Sequence, residues 1–191
     1  MKIEQATQAD AGALAYLINL AGEGMPEYVW STMAEEGESP FDVGLRRAQR
    51  DEGGFSYTKA RVVRVDHQVA GMIVDYALDD PYDIGDIEAY PEPIQPLIKL
   101  ESLAPGTWYI NALATNAEFR KRGIATFLLK NAEREAKKRG ISTLSIIVAS
   151  ENLAAKKLYL NFGFQFIHAL PVVAVAQLHN GGNWELLTKA L

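Results

Sequence analysis

Residues 120–125 are Arg-Lys-Arg-Gly-Ile-Ala, and the chain runs on as the amphipathic stretch TFLLKNAEREAKKRG. Three adjacent cations before a glycine that opens a helix suit a polyphosphate ligand. The first amides of a helix lack carbonyl partners and lie at the positive end of its dipole, so they favour anions. Gly123 places no Cβ between backbone and ligand. Arg120 and Arg122 can add bidentate phosphate contacts, and Lys121 a point charge. A solvated helix start with a cationic face fits the same residues. Local charge bears on that choice: of 19 Lys and Arg, Arg120, Lys121, Arg122, Lys130, Arg134, Lys137, Lys138 and Arg139 fall within 120–139, in a chain of net charge -5. The segment is not a Walker loop, which needs two glycines and a Lys-Ser/Thr pair. Nor is it a dinucleotide fingerprint, since Gly123 stands alone.

A second group lies downstream. Asn152 and Tyr159 are seven residues apart, so a helix projects them from nearly one face, with Lys156 between them. Upstream, Tyr109 and Asn111 alternate onto one face of a strand, and Glu101 precedes them in a loop. His67 falls in a turn, while His168 and His179 flank the last strands. No His/Asp/Glu spacing suggests a metal.

These residues need elements to hold them. Residues 2–5 form a short strand, and TQADAGALAYLINLAG a helix with Thr7 and Asp10 as competing caps. Residues 25–52 continue as helix broken by Gly37, Ser39 and Pro40, with Phe41, Leu45 and Ala48 on one face. ARVVRV and QVAGMIVDYAL form a hairpin about Asp66-His67. The stretch 79–106, rich in proline and acid, is a long variable loop. TWYINALAT is a strand ending at 115. Gly123 to Arg139 is a helix with Ile124, Phe127, Leu128, Ala132 and Ala136 along its apolar stripe, closed by Gly140. TLSIIVA is a strand, NLAAKKLYLNFGF a helix ending at Gly163, and PVVAVAQL and WELLTKAL are two last strands around HNGG. Strand, helix, strand over 107–148 is a βαβ unit with a parallel pair and a right-handed crossover. Hairpins at either end make the sheet mixed.

Composition sets the outer bounds. At 191 residues, 48% hydrophobic and 23% charged, the chain fits one globular domain over 1–191. Net negative charge disfavours nucleic acid and mildly favours a cationic partner. The absence of cysteine excludes disulfides, thiolate ligands and a cysteine nucleophile. No apolar run is long enough to span a bilayer, and the N-terminus lacks a signal-peptide core, so a cytoplasmic location is expected.

Two segments resemble the GNAT superfamily of acyl-CoA N-acyltransferases. Arg120-Lys121-Arg122-Gly123-Ile124-Ala125 is similar to that family's Arg/Gln-x-x-Gly-x-Gly/Ala turn, after a strand and opening a long helix. Asn152-Leu153-Ala154-Ala155-Lys156-Lys157-Leu158-Tyr159, with Asn161-Phe162-Gly163-Phe164, is similar to its Asn-x-x-Ala-x-x-Leu-Tyr…Gly-Phe segment. The likeness covers roughly 105–165. It implies an α/β (α+β mixed) GNAT fold, with a central, mostly antiparallel sheet of about seven strands, a parallel splayed pair and flanking helices.

The resemblance further implies acetyl-CoA, its pyrophosphate held by the amides of residues 121 to 126, Thr126 included. Pantetheine then lies between the strands 108–115 and 143–149, bonded to the backbone of Leu113 and Ala114. Asn152 and Lys156 join the cofactor-binding set, and Asn152 orients cofactor or tyrosine. Acyl transfer from a thioester to an amine requires the amine to lose a proton and the thiolate to gain one. A phenol titrating near ~10 can protonate a thiol near ~8.5 with a modest mismatch. By resemblance Tyr159 is that general acid; its other reading is a core aromatic with a surface hydroxyl. Asn111 is an orienter, Glu101 a candidate base, and His179 lies near the acceptor entrance.

By the same resemblance the acceptor is a small-molecule or peptide primary amine. Asp79, Asp80, Asp83, Asp86, Glu88, Glu92 and Glu101 face only Lys99 over 79–101. Bordering the site, this loop attracts a cationic amine; elsewhere it is simply solvated. Tyr28 and Trp30 either line the opposite wall or pack internally. The alternative function is a non-catalytic acyl-CoA sensor on the same fold, and a further one a phosphate-binding domain for another nucleotide. The family commonly forms homodimers.

Overall fold

A computed structural model describes residues 1–179 and 181–191. Strand β1 (Ile3–Gln5) leads to Thr7, whose backbone N–H and hydroxyl both donate to the Asp10 carboxylate, at 2.9 and 3.0 Å. Helix α1 (Ala11–Ala21) follows and buries Leu14, Leu17 and Ile18, the apolar set that its 3.6-residue period brings together. Helix α2 (Met25–Ser31) and helix α3 (Pro40–Ala48) come next. Ser39 opens α3 with a capping box: its hydroxyl accepts from Asp42 N–H at 3.3 Å, and its own N–H donates to the Asp42 carboxylate at 2.9 Å.

The buried face of α3 is not the expected one. Phe41 and Leu45 are exposed, whereas Val43, Gly44 and Ala48 are buried. A Cβ on Gly44 would stand 2.6 Å from Trp30 Cζ3, so the bare backbone there receives the indole. Phe41 meets Trp30 edge-on at 5.8 Å from outside.

Strands β2 (Ala60–Val65) and β3 (Gln68–Ala77) form the expected hairpin, with Val65 opposite Gln68. Asp66 and His67 both have positive φ, 49° and 65°, the primed turn that matches strand twist. Strand β4 (Trp108–Thr115), helix α5 (Ile124–Lys138) and strand β5 (Thr143–Ala149) form the β-α-β unit. β4 and β5 run parallel, with Trp108, Tyr109 and Ile110 opposite Leu144, Ser145 and Ile146. Helix α6 (Leu153–Phe162) then leads to strands β6 (Gln165–Pro171) and β7 (Asn183–Ala190). The seven strands lie in the order β1-β2-β3-β4-β5-β7-β6, a mixed sheet with the expected parallel pair.

Two elements differ from expectation. The stretch 79–106 is not loop throughout, because helix α4 (Gln95–Glu101) forms within it and buries Ile98 and Leu100. Its Pro96 lies in the first turn, where the missing N–H costs no bond. PVVAVAQL is not a strand beyond Pro171: β6 begins earlier, at Gln165, and pairs with β7 from Gln165–Thr188 to Pro171–Asn183. Val172 N–H to Gly182 O, at 3.0 Å, closes the base of the connection. The HNGG turn includes Asn180, outside the described residues.

Contacts group the chain into two compact units, Met1–Asp75 with Ala112–Leu129, and Tyr76–Asn111 with Lys130–Leu191. The first has its core in Leu14, Leu17, Ile18, Trp30, Met72 and Ile73, with Arg61 paired to the buried Asp75 on neighbouring strands. The second buries Leu100, Ile110, Leu144, Leu186 and Leu187, and a buried hydroxyl pair, Thr107 Oγ1 to Ser145 Oγ at 2.6 Å, ties the start of β4 to β5.

Candidate active site

The basic turn belongs to the first unit. After β4, Asn116 N–H donates to Ala70 O at 2.9 Å, and a 3-10 turn over Ala117–Phe119 buries the Phe119 ring. Arg120 is extended, its Nε donating to Thr115 O at 3.4 Å. Lys121 then takes a φ of 61° and Gly123 a φ of 79°. Left-handed backbone costs a Cβ-bearing residue of order 1 kcal/mol or more, so Lys121 holds local strain within this turn. A Cβ on Gly123 would meet nothing within 4 Å, so the glycine answers to its positive φ, and the space above the turn is open.

Gly123 O accepts from Phe127 N–H at 3.0 Å, the first bond of α5. Among the described residues, the amides of residues 121 to 126 donate to no backbone carbonyl. Arg120, Lys121 and Arg122 are exposed around them, and the Arg122 guanidinium lies 5.3 Å from the Phe119 ring. Beneath, Ile124 is buried; a Cβ on Gly71 of β3 would stand 2.7 Å from Ile124 Cγ2 and 3.0 Å from Ala114 O. Unpaired donors, a positive dipole end and three exposed cations are chemistry suited to an anion. On the adjoining strand, Ala114 is buried and Leu113 half-buried.

The residues around α6 belong to the second unit. Asn152 is not on the helix with Tyr159: it is the N-cap, its Oδ1 accepting from Ala155 N–H at 3.0 Å. Lys156 Nζ pairs with Glu185 Oε1 at 2.7 Å, so its ammonium is engaged by β7. Tyr159 is buried, its ring edge-on to Phe164 at 5.9 Å. Glu185 was not singled out from sequence; its signal is an acid at a buried position in the apolar WELL run.

The same unit gathers Glu101, Tyr76, Tyr82 and Tyr109. Glu101 ends α4, and Tyr82 donates its hydroxyl to Glu101 Oε2 at 2.7 Å. The buried Tyr109 phenol acts on the same carboxyl as a second donor, and Tyr76 meets the Tyr109 ring edge-on at 5.8 Å. Burial pushes the Glu101 carboxyl above its usual range, and the hydrogen bonds from Tyr82 and Tyr109 pull it part of the way back. Burial first, and the Glu101 charge second, raise the phenols of Tyr76, Tyr82 and Tyr109, which stay protonated as donors. Two residues beyond Tyr109, Asn111 has a buried Oδ1 with no hydrogen-bond partner among the described residues. Tyr76 and Tyr82 carried no motif; only the fold brings them to Glu101.

His67, His168 and His179 are all exposed. Trp30 is interior and Tyr28 half-buried. Among the described residues, no helix is long and apolar enough to cross a membrane.

The turn, the parallel pair and the α6 segment define a class. The acetyltransferase (GNAT) family model matches residues 23–164, and the chain belongs to that family and is an acyltransferase enzyme. Solved structures with the same fold include an acetyltransferase at 23% identity (TM-score 0.66, covering 100% of this chain and 99% of that one). An N-acetyltransferase from Staphylococcus aureus Mu50 is 21% identical (TM-score 0.63, 98% and 100%). The Drosophila melanogaster polyamine N-acetyltransferase, which forms N-acetylagmatine, is 13% identical (TM-score 0.68, 100% and 99%). Among curated proteins none matches the sequence.

Proposed function

We propose that the chain is an acetyl-CoA-dependent N-acetyltransferase acting on a primary amine by direct attack, as one domain in the cytoplasm, with no covalent enzyme intermediate. The observation that carries this is the run of unpaired amides at 121 to 126, in a turn where Lys121 and Gly123 take positive φ. Arg120, Lys121 and Arg122 add charge, while Leu113 and Ala114 on β4 offer backbone to the pantetheine arm. Acetyl-CoA held there supplies an activated acyl thioester.

Tyr159 Oη holds the proton that the departing sulfur requires, and its buried ring fixes where that proton is delivered. Asn152 sets the first turn of α6, and Lys156, tied to Glu185, fixes the helix face from which Tyr159 projects. Asn111 Oδ1 orients the amine, whose nitrogen bonds to the acyl carbon as the carbon–sulfur bond breaks. The amine's proton leaves to water. A cationic acceptor suits the acidic stretch 79–101, and the polyamine substrate of the Drosophila protein is in keeping with that chemistry.

A thermal-shift panel with a turnover assay tests the reading, since a ligand of the native state raises its melting temperature. Acetyl-CoA should give the largest shift and at least one primary amine should be acetylated. ATP or NAD outperforming acetyl-CoA would sink the assignment. Acetyl-CoA binding with no amine acetylated would favour the sensor instead.

A further inference from the structure

We propose that Glu101, Tyr82 and Tyr109 form a subsite for a second, non-reacting cationic group on the acceptor, so that the preferred substrate is a diamine or its equivalent. This rests on the transferase reading and names its acceptor class. Glu101 carries a carboxylate among three tyrosines, and among the described residues no Lys, Arg or His forms an ion pair with it. A half-buried carboxylate is costly without a counter-ion, and two neutral phenol donors compensate only part of that cost. Tyr82 points its hydrogen at the carboxylate, which leaves its oxygen lone pairs free to accept. One negative charge flanked by oxygen acceptors matches the three N–H donors of an ammonium group. It is too poor in anionic ligands for a divalent metal.

A second observation sets the length of the ligand. Asn111 Oδ1, the orphaned acceptor, lies two residues from Tyr109 along β4. A strand rises about 3.3 Å per residue, so the two side chains stand about 7 Å apart on one face. Four carbons between two nitrogens make five bonds of about 1.5 Å, a zigzag of roughly 6 Å. Glu101 with its tyrosines then receives the distal ammonium, and Asn111 receives an N–H of the amine that reacts. Glu101 also keeps part of its surface open to solvent, so a ligand can reach it.

Calorimetric titration with putrescine and with butylamine tests this without relying on turnover. Wild type should bind putrescine at least about tenfold more tightly than butylamine, and Glu101→Gln should shrink that preference to about twofold or less. Tyr82→Phe removes a phenol but leaves the carboxylate, so it should weaken both amines less than Glu101→Gln weakens putrescine. Carbon NMR of glutamate-labelled wild type needs no variant: putrescine, not butylamine, should lower the midpoint of one carboxyl titration. Equal binding of the two amines by wild type, or a preference that survives Glu101→Gln, overturns the subsite. Should the preference hold while no amine is acetylated, the subsite stands and the transferase reading fails.

Discussion

Tyr159 and Glu101 are both ionisable and both enclosed, yet their surroundings fit them to different tasks. Tyr159 meets Phe164 edge-on and is buried, which suits the proton donor proposed above. Tyr159→Phe keeps that packing and removes only the proton. Steady-state kinetics should show kcat falling about a hundredfold or more, with the affinity for coenzyme A within about twofold of wild type. Glu101 has a folded pKa raised mainly by burial. A raised acid stabilises the fold most when protonated, and that contribution is lost as pH climbs from the ordinary carboxylate range through the folded value. Glu101→Gln does not titrate. Melting temperatures followed over that window should therefore move in favour of Glu101→Gln with rising pH and then run parallel to wild type. A move in favour of wild type with rising pH would contradict the burial of this carboxyl.

At the scale of elements, the turn depends on what packs under it. Gly71 on β3 admits Ile124 and the Ala114 carbonyl to distances that no Cβ would permit. Gly71→Ala should lower stability by about 1–3 kcal/mol in chemical denaturation and weaken coenzyme A binding as the start of α5 is displaced. This packing also explains what the sequence made legible. The β2–β3 hairpin and the β4-α5-β5 unit were readable because a two-residue turn separates β-rich runs, and because the α5 stripe keeps helical period over fifteen residues. Helix α4 was hidden by prolines that sit before it or in its first turn, and the Phe41–Leu45 face was misjudged because Trp30 seeks a glycine rather than an apolar side chain. Asn152, placed by spacing on a helix face, turns out to cap the helix instead. Glu101 and Tyr109 were each singled out, but the cluster was not legible, since Tyr76, Tyr82 and Tyr109 lie on separate segments that only folding joins.

On the scale of the whole molecule, a chain of net charge -5 presents a local cationic turn and a local acidic stretch. Fields of this kind would attract the proposed anionic cofactor and cationic acceptor, and salt weakens both. Raising ionic strength from low to physiological values should therefore raise KM for acetyl-CoA and for a diamine acceptor alike, while a KM insensitive to salt would set that electrostatic role aside. The central claim is narrower: main-chain donors at 121 to 126 hold the diphosphate of coenzyme A. Amide nitrogen–proton NMR during a coenzyme A titration tests it most directly. The amides of Lys121 to Thr126 should move most, and together; amides in this turn that stay still while others elsewhere saturate would overturn it.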